Sequence, residues 1–120
     1  IAEMAAMNAT ARDVERLREL CAVIEQKIET GENYIEEDIA FHTAVAKCSG
    51  NMVVEQLVPI IDTAVMMFVN VTHRKLTQET IMTHRAVTDA IAERDPMGAK
   101  SAMMMHMTFN RNMIKDMMKQ

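Results

Sequence analysis

The chain has little from which to build disulfides, sheets or membrane spans. Two cysteines in 120 residues, Cys21 and Cys48, are too few and too isolated for a disulfide framework or a thiolate metal site. Such sparse usage fits a reducing cytoplasm. Three glycines, two prolines, three phenylalanines and one tyrosine argue against a turn-rich sheet protein. No stretch reaches about 18 uninterrupted apolar residues, and no basic-then-apolar start precedes the first helix, so neither a membrane span nor a signal peptide is expected. The net charge is −4 with no dense basic run. Nothing here can neutralise several phosphates, so this chain is not expected to grip DNA or RNA itself.

What remains favours helix. Hydrophobic residues make up 49% and charged residues 25%, and the stock of Ala, Met, Leu, Glu, Lys and Arg has high helix propensity. Residues 1–120 are read as one all-α domain, large enough to bury a single core. Fourteen methionines are unusual. They would suit a soft, adaptable interior, although packing alone explains them equally well. The chain starts in mid-pattern at IAEMAAM without an initiator Met, which reads as a piece of a longer protein.

Helix signals then divide the chain. Residues 1–8 read as the tail of a helix. Thr10 is an N-cap with Asp13 at N3, and Val14, Leu17, Leu20, Cys21, Ile24 and Ile28 trace an apolar face that Gly31 ends. A helix from Asn33 to about Cys48 comes next, broken by Ser49-Gly50-Asn51, where Gly50 can take positive φ and Asn51 can cap the next helix. The segment from Met52 to about His73 is apolar on most sides, with Pro59 kinking it or marking a late start. Thr77 is expected to cap a helix running to Arg94. Asp95 as N-cap and Pro96 at N1 then open the last one, ending near Met118. Five helices and a fragment, joined by short turns, predict an antiparallel bundle.

Four polar residues fall on the inner faces of those helices. Asp38 and His42 are four apart in EEDIAFHTAVA and share one helix face. His84 and His106 lie eleven residues either side of Asp95, which places them at similar heights on the arms of a helical hairpin. A lone histidine on an apolar face is ordinarily a core residue without a ligand role. Here His106 falls among Met103, Met104, Met105 and Met107, His84 between Ile81 and Val87, and His42 beside Phe41 and Val45. Each unpartnered buried polar group costs roughly 1–3 kcal/mol, and a shared cation relieves several such costs together. Three imidazoles and a carboxylate suit Zn²⁺, Ni²⁺, Mn²⁺ or Fe²⁺, and leave one or two positions of a five- or six-coordinate ion for water or a small organic acid. His73, in VTHRK, reads as a surface residue, and Arg85, about 100° around its helix from His84, as a surface or interface residue.

Weaker candidates surround these. Asp62, Met66 and Asn70 form an i, i+4, i+8 stripe that is either a solvated strip or a cavity wall. Thr80 lies one turn before His84 and Asn110 one turn beyond His106, so with Asn70 they are candidate effector contacts.

The segments EDIAFHTAVAKCSGN, THRAVTDAIAERD and AKSAMMMHM resemble the C-terminal effector (FCD) domain of the FadR-type subgroup of GntR bacterial transcription regulators. The likeness extends over residues 10–118. It implies an all-helical ligand-sensing domain in a cytoplasmic homodimer. Asp38, His42, His84 and His106 would be the metal ligands and a small carboxylic or sugar acid the effector. It also implies an N-terminal winged helix-turn-helix, absent from this chain, that binds operator DNA. Catalysis is not expected: the chain lacks the paired E-x-x-H motifs of di-iron bundles and a spare Glu near the four residues. A helical-bundle metalloenzyme and a plain dimerisation bundle with a vestigial metal site are the alternatives.

Overall fold

The structure, a computed structural model, describes residues 1–72 and 77–119, and for residues 68–72 the backbone alone. Among these the chain forms α1 (Ala2–Asn8), α2 (Ala11–Thr30), α3 (Ile35–Cys48), α4 (Met52–Gln56), α5 (Val58–Thr72), α6 (Thr77–Ala92) and α7 (Pro96–Met118). The caps explain most boundaries. Thr10 Oγ accepts from the Asp13 N–H at 3.1 Å while the Asp13 carboxylate accepts from the Thr10 N–H at 2.9 Å, a full capping box. Gly31 and Gly50, at φ 74° and 67°, provide the left-handed residues that end α2 and come after α3. Asn51 accepts from the N–H groups of Val53 and Val54, and Asp95 from that of Gly98, with Pro96 in the first turn of α7.

Three boundaries differ from expectation. The apolar segment after Asn51 is two helices, because α4 stops at Gln56 and Leu57 turns the chain before α5. Pro59 stands in the first turn of α5, where its missing N–H breaks no helical bond; it marks a late start, not a kink. Secondly, α3 starts at Ile35, whose N–H is held by the Asn33 side chain at 2.9 Å. Thirdly, α6 ends at Ala92, two residues before Arg94. Arg94 itself takes φ 58°, and the Asp95 N–H reaches back to the Ala90 carbonyl at 2.9 Å. Thr77 is the first helical residue of α6; whatever caps that helix lies outside the described residues, as does His73.

Packing reflects the apolar faces. α6 and α7 form an antiparallel hairpin, α2 packs on α3 and α6, and α5 lies between α3 and α7. The neighbours thus close a ring, α2–α3–α5–α7–α6. α1 packs against α3, α6 and α7, and its buried Ala2, Ala5 and Ala6 let the backbones approach closely. Leu17, Ile24, Phe41, Val45, Val87 and Ile91 fill the centre. The methionines do not: ten of the fourteen are exposed, and the fully buried side chains include none. Arg85 is half-buried and grips Glu25 with two guanidinium nitrogens (Nη2–Oε2 2.9 Å), which ties α6 to α2.

Candidate metal centre

Asp38 and His42 come from the buried side of α3, His84 from α6 and His106 from α7. All four are buried, at 5%, 5%, 2% and 6% exposure. One ligand nitrogen from each of the three histidines can be chosen so that all lie within 4.8 Å of one another. Asp38 Oδ1 is 3.2 Å from His84 Nε2 and 3.5 Å from His42 Nε2. The i, i+4 step and the hairpin symmetry therefore bring together the four residues that the sequence singles out. Phe41 supports them: its ring stacks on His84 at a centroid distance of 4.2 Å and meets His42 edge-on at 5.6 Å.

The reason His106 is buried differs from the one the sequence offers. Met105 is 51% exposed, and Met104 and Met107, at 60% and 37%, stand at an open cavity and are not buried, while His106 faces in. Its surroundings are the other two imidazoles, at 5.0 and 4.9 Å between centroids, and the side chain of Thr83.

Electrostatics set the charge states. Burial alone would raise the Asp38 carboxyl, but the imidazoles of His42 and His84 overcome it and hold the group well below the usual carboxylate range. Burial foremost, with His42 adding to it and Asp38 opposing, pushes His84 down. Burial and then the other two imidazoles push His106 down to about 3. At neutral pH the centre therefore presents a carboxylate together with at least two uncharged imidazoles, the states in which these groups donate lone pairs to a metal.

This donor set fits a divalent cation. Among the described residues, Asp38 Oδ1 and both ring nitrogens of His84 are buried without a hydrogen-bond partner, although the carboxylate lies so near. Such orphaned groups are rare in folded proteins and call for a partner. Oxygen and imidazole nitrogen converging from three helices match Zn²⁺, Ni²⁺, Mn²⁺ or Fe²⁺.

The residues around the centre divide into supports and outliers. Thr83 is the residue that sequence reading missed: it is 1% exposed and its Oγ lies 2.8 Å from His106 Nδ1. Its place beside His84 gave no signal, because neighbours on a helix point about 100° apart. Asn110 is buried and donates its amide to the His106 carbonyl at 3.0 Å; Thr80 is buried as well. Asp62 accepts from the Thr43 hydroxyl at 2.6 Å while Met66 is 46% exposed, so that stripe is a helix contact and a surface residue, not a cavity wall beside the four ligands. The side chain of Asn70 lies outside the described residues. A cavity of about 330 Å³ opens beside His42, lined also by Val45, Ile61, Met103 and Met107, with Glu3 and Lys100 contributing charge. Thr80 and Asn110 do not line it.

The chain is thus an all-helical bundle with a buried aspartate and three histidines at its centre, one of which, His42, also lines a small cavity. The family model described as the FCD domain matches residues 1–109. The chain belongs to that family, the FCD domains of GntR-type transcription regulators. It is 28% identical over 107 residues to the HTH-type transcriptional repressor NanR of Citrobacter rodentium (strain ICC168), covering 86% of this chain and 41% of that protein. It is also similar to the solved structure of Streptococcus agalactiae GntR, with a TM-score of 0.78, 28% identity, and 92% of this chain and 51% of that one covered. The chain thus spans about half the length, or less, of the relatives it matches. Among the described residues no helix is long and apolar enough to cross a membrane.

Proposed function

We propose that this chain is the metal-dependent sensor of a cytoplasmic, homodimeric GntR-type regulator, and that its effector is a small carboxylic or sugar acid. Asp38, His42, His84 and His106 would hold the metal, with Zn²⁺, Ni²⁺, Mn²⁺ and Fe²⁺ all compatible. A bound divalent ion would supply a Lewis-acidic position for the acid's carboxylate. The observation that carries this reading is the placement of His42, which belongs both to the buried cluster and to the wall of the 330 Å³ cavity. A molecule in that cavity touches the cluster directly. Val45, Ile61, Met103 and Met107 would enclose its apolar part, and Glu3 and Lys100 are the charged groups on the same wall, whereas Thr80 and Asn110 stand away from the cavity and would act only through the ligand-bearing helices.

Occupancy would then be read elsewhere. The cavity draws its walls from α1, α3, α5 and α7, so a molecule seated there favours one relative placement of four helices. A winged helix-turn-helix joined to such a bundle would be repositioned on operator DNA by the difference in affinity between placements. Native mass spectrometry of the purified chain, and then thermal melts of the metal-loaded form with hydroxy, keto and sugar acids, test the reading. One class of acid at about 100 times its Kd should stabilise the fold by about 2.7 kcal/mol and raise Tm by several degrees. A chain that takes up no divalent metal, or melts alike with every acid, is instead a dimerisation bundle.

A further inference from the structure

The hydrogen bond between Thr83 and His106 fixes more than a contact between two helices. A threonine hydroxyl has one proton to give. In α6 the Thr83 Oγ lies 2.7 Å from the Glu79 carbonyl, and Thr80's carbonyl is a longer second acceptor at 3.4 Å. Both of those atoms can only accept, so the hydroxyl proton is directed along its own helix. Toward His106 Nδ1, 2.8 Å away, the Thr83 oxygen is left as an acceptor. Nδ1 must then carry the ring's proton. His106 is 6% exposed and has two further imidazoles within 5.0 Å between centroids, surroundings that favour an uncharged ring with one N–H. Nε2 is therefore the nitrogen with a free lone pair.

We propose that Thr83 is a positioning residue that locks His106 in the Nδ1–H tautomer and so makes Nε2 its metal-binding atom. The inference rests on the reading of the cluster as a metal site, but it can be tested without metal. Among the described residues neither His42 nor His84 has an equivalent partner: both nitrogens of His84 are without a hydrogen bond, and His42 has only Asp38 within ion-pair range. His106 is thus the ligand whose donor atom is set in advance, and its arm of the hairpin is held to the other by the same bond. Ligand histidines are commonly oriented by such outer partners, whose loss weakens metal affinity by roughly 10–100-fold.

Long-range ¹H–¹⁵N correlation spectra of the metal-free, ¹⁵N-histidine-labelled full chain report each tautomer directly. We expect His106 as Nδ1–H in the wild type and in Thr83→Ser, and as Nε2–H or a mixture in Thr83→Val. Calorimetric titration with Zn²⁺ should then give an affinity for Thr83→Val roughly 10–100-fold below wild type, rescued by Thr83→Ser. An Nε2–H ring in the wild type would overturn the proposal, as would a Thr83→Val chain unchanged in both tautomer and affinity. If the valine variant does not fold, the wild-type and serine spectra decide. A wild type with the Nδ1–H ring that takes up no Zn²⁺ would remove the metal reading while leaving the tautomer assignment in place.

Discussion

Cys48 sits at the end of α3 in surroundings hostile to a thiolate. Burial raises its thiol, the nearby charge and hydrogen bond of Asp13 raise it further, and the result is about 11. Cys21 is raised as well, chiefly by burial, with the Thr88 hydrogen bond and Arg85 pulling the other way. Thiolate is the reactive form, so both residues should be inert in the folded chain. Ellman's reagent at pH 8 should detect almost no thiol until denaturant is added, and then two per chain. Linkage gives this shift a sign. A group whose folded pKa is raised stabilises fully below its unfolded value, near 9, and that contribution disappears as pH rises through about 11. Prompt reaction of either cysteine under native conditions would contradict their burial. His84 belongs to the same scale. Replacing it with Ala removes the ring stacked on Phe41 and opens a cavity, so the variant should lose metal and about 2–4 kcal/mol together. Urea melts of the metal-free forms separate the two losses.

At the scale of the element, the caps are where sequence and structure agree best. Thr10, Gly31, Gly50, Asn51 and Asp95 all act where their chemistry places them, because a cap is satisfied within a few residues of itself. Gly98 adds a requirement that its sequence position does not announce. A methyl group there would overlap the Asp95 carboxylate that caps α7. Gly98→Ala should therefore displace the cap, a loss of about 1 kcal/mol that alanine's better helix propensity largely offsets, whereas Asp95→Ala should show the loss undiminished. The two changes combined should cost no more than Asp95→Ala alone, because they remove the same hydrogen bond. Full additivity in chemical denaturation would show the glycine to act independently. The break at Leu57 was less legible. Pro59 is compatible with a kink or with a first turn, and only packing against α3 and α7 chooses between them. Rotation was equally hidden: period counting puts His106 in a methionine-rich run, but not which side of that run meets the core.

The metal-free molecule as a whole should be acid-sensitive because of its centre. The four residues were legible from their spacing, since i, i+4 and hairpin symmetry are local rules. Thr83 was not, because its partner is on another helix. The charge states of the cluster link it to global stability. His84 and His106 have folded pKa values below the ordinary 6.5, about 3 for His106, so they stay uncharged in the fold and become protonated on unfolding. Their contribution is fully present above about pH 6.5 and is lost as pH falls toward 3, where the unfolded chain binds protons that the folded one refuses. Asp38, held below its ordinary 3.8, acts in the same direction at the acid end. Each such group alters stability by on the order of 1.4 kcal/mol per pH unit within its window. In chelator-treated protein the urea midpoint should hold steady from about pH 8 to 7 and fall steadily from about pH 6 to 4. His106→Leu should flatten part of that fall, since an apolar side chain has no proton to gain. A midpoint that ignored pH across this range, or an equal fall in the leucine variant, would mean that the centre is already protonated or open to water in the folded chain.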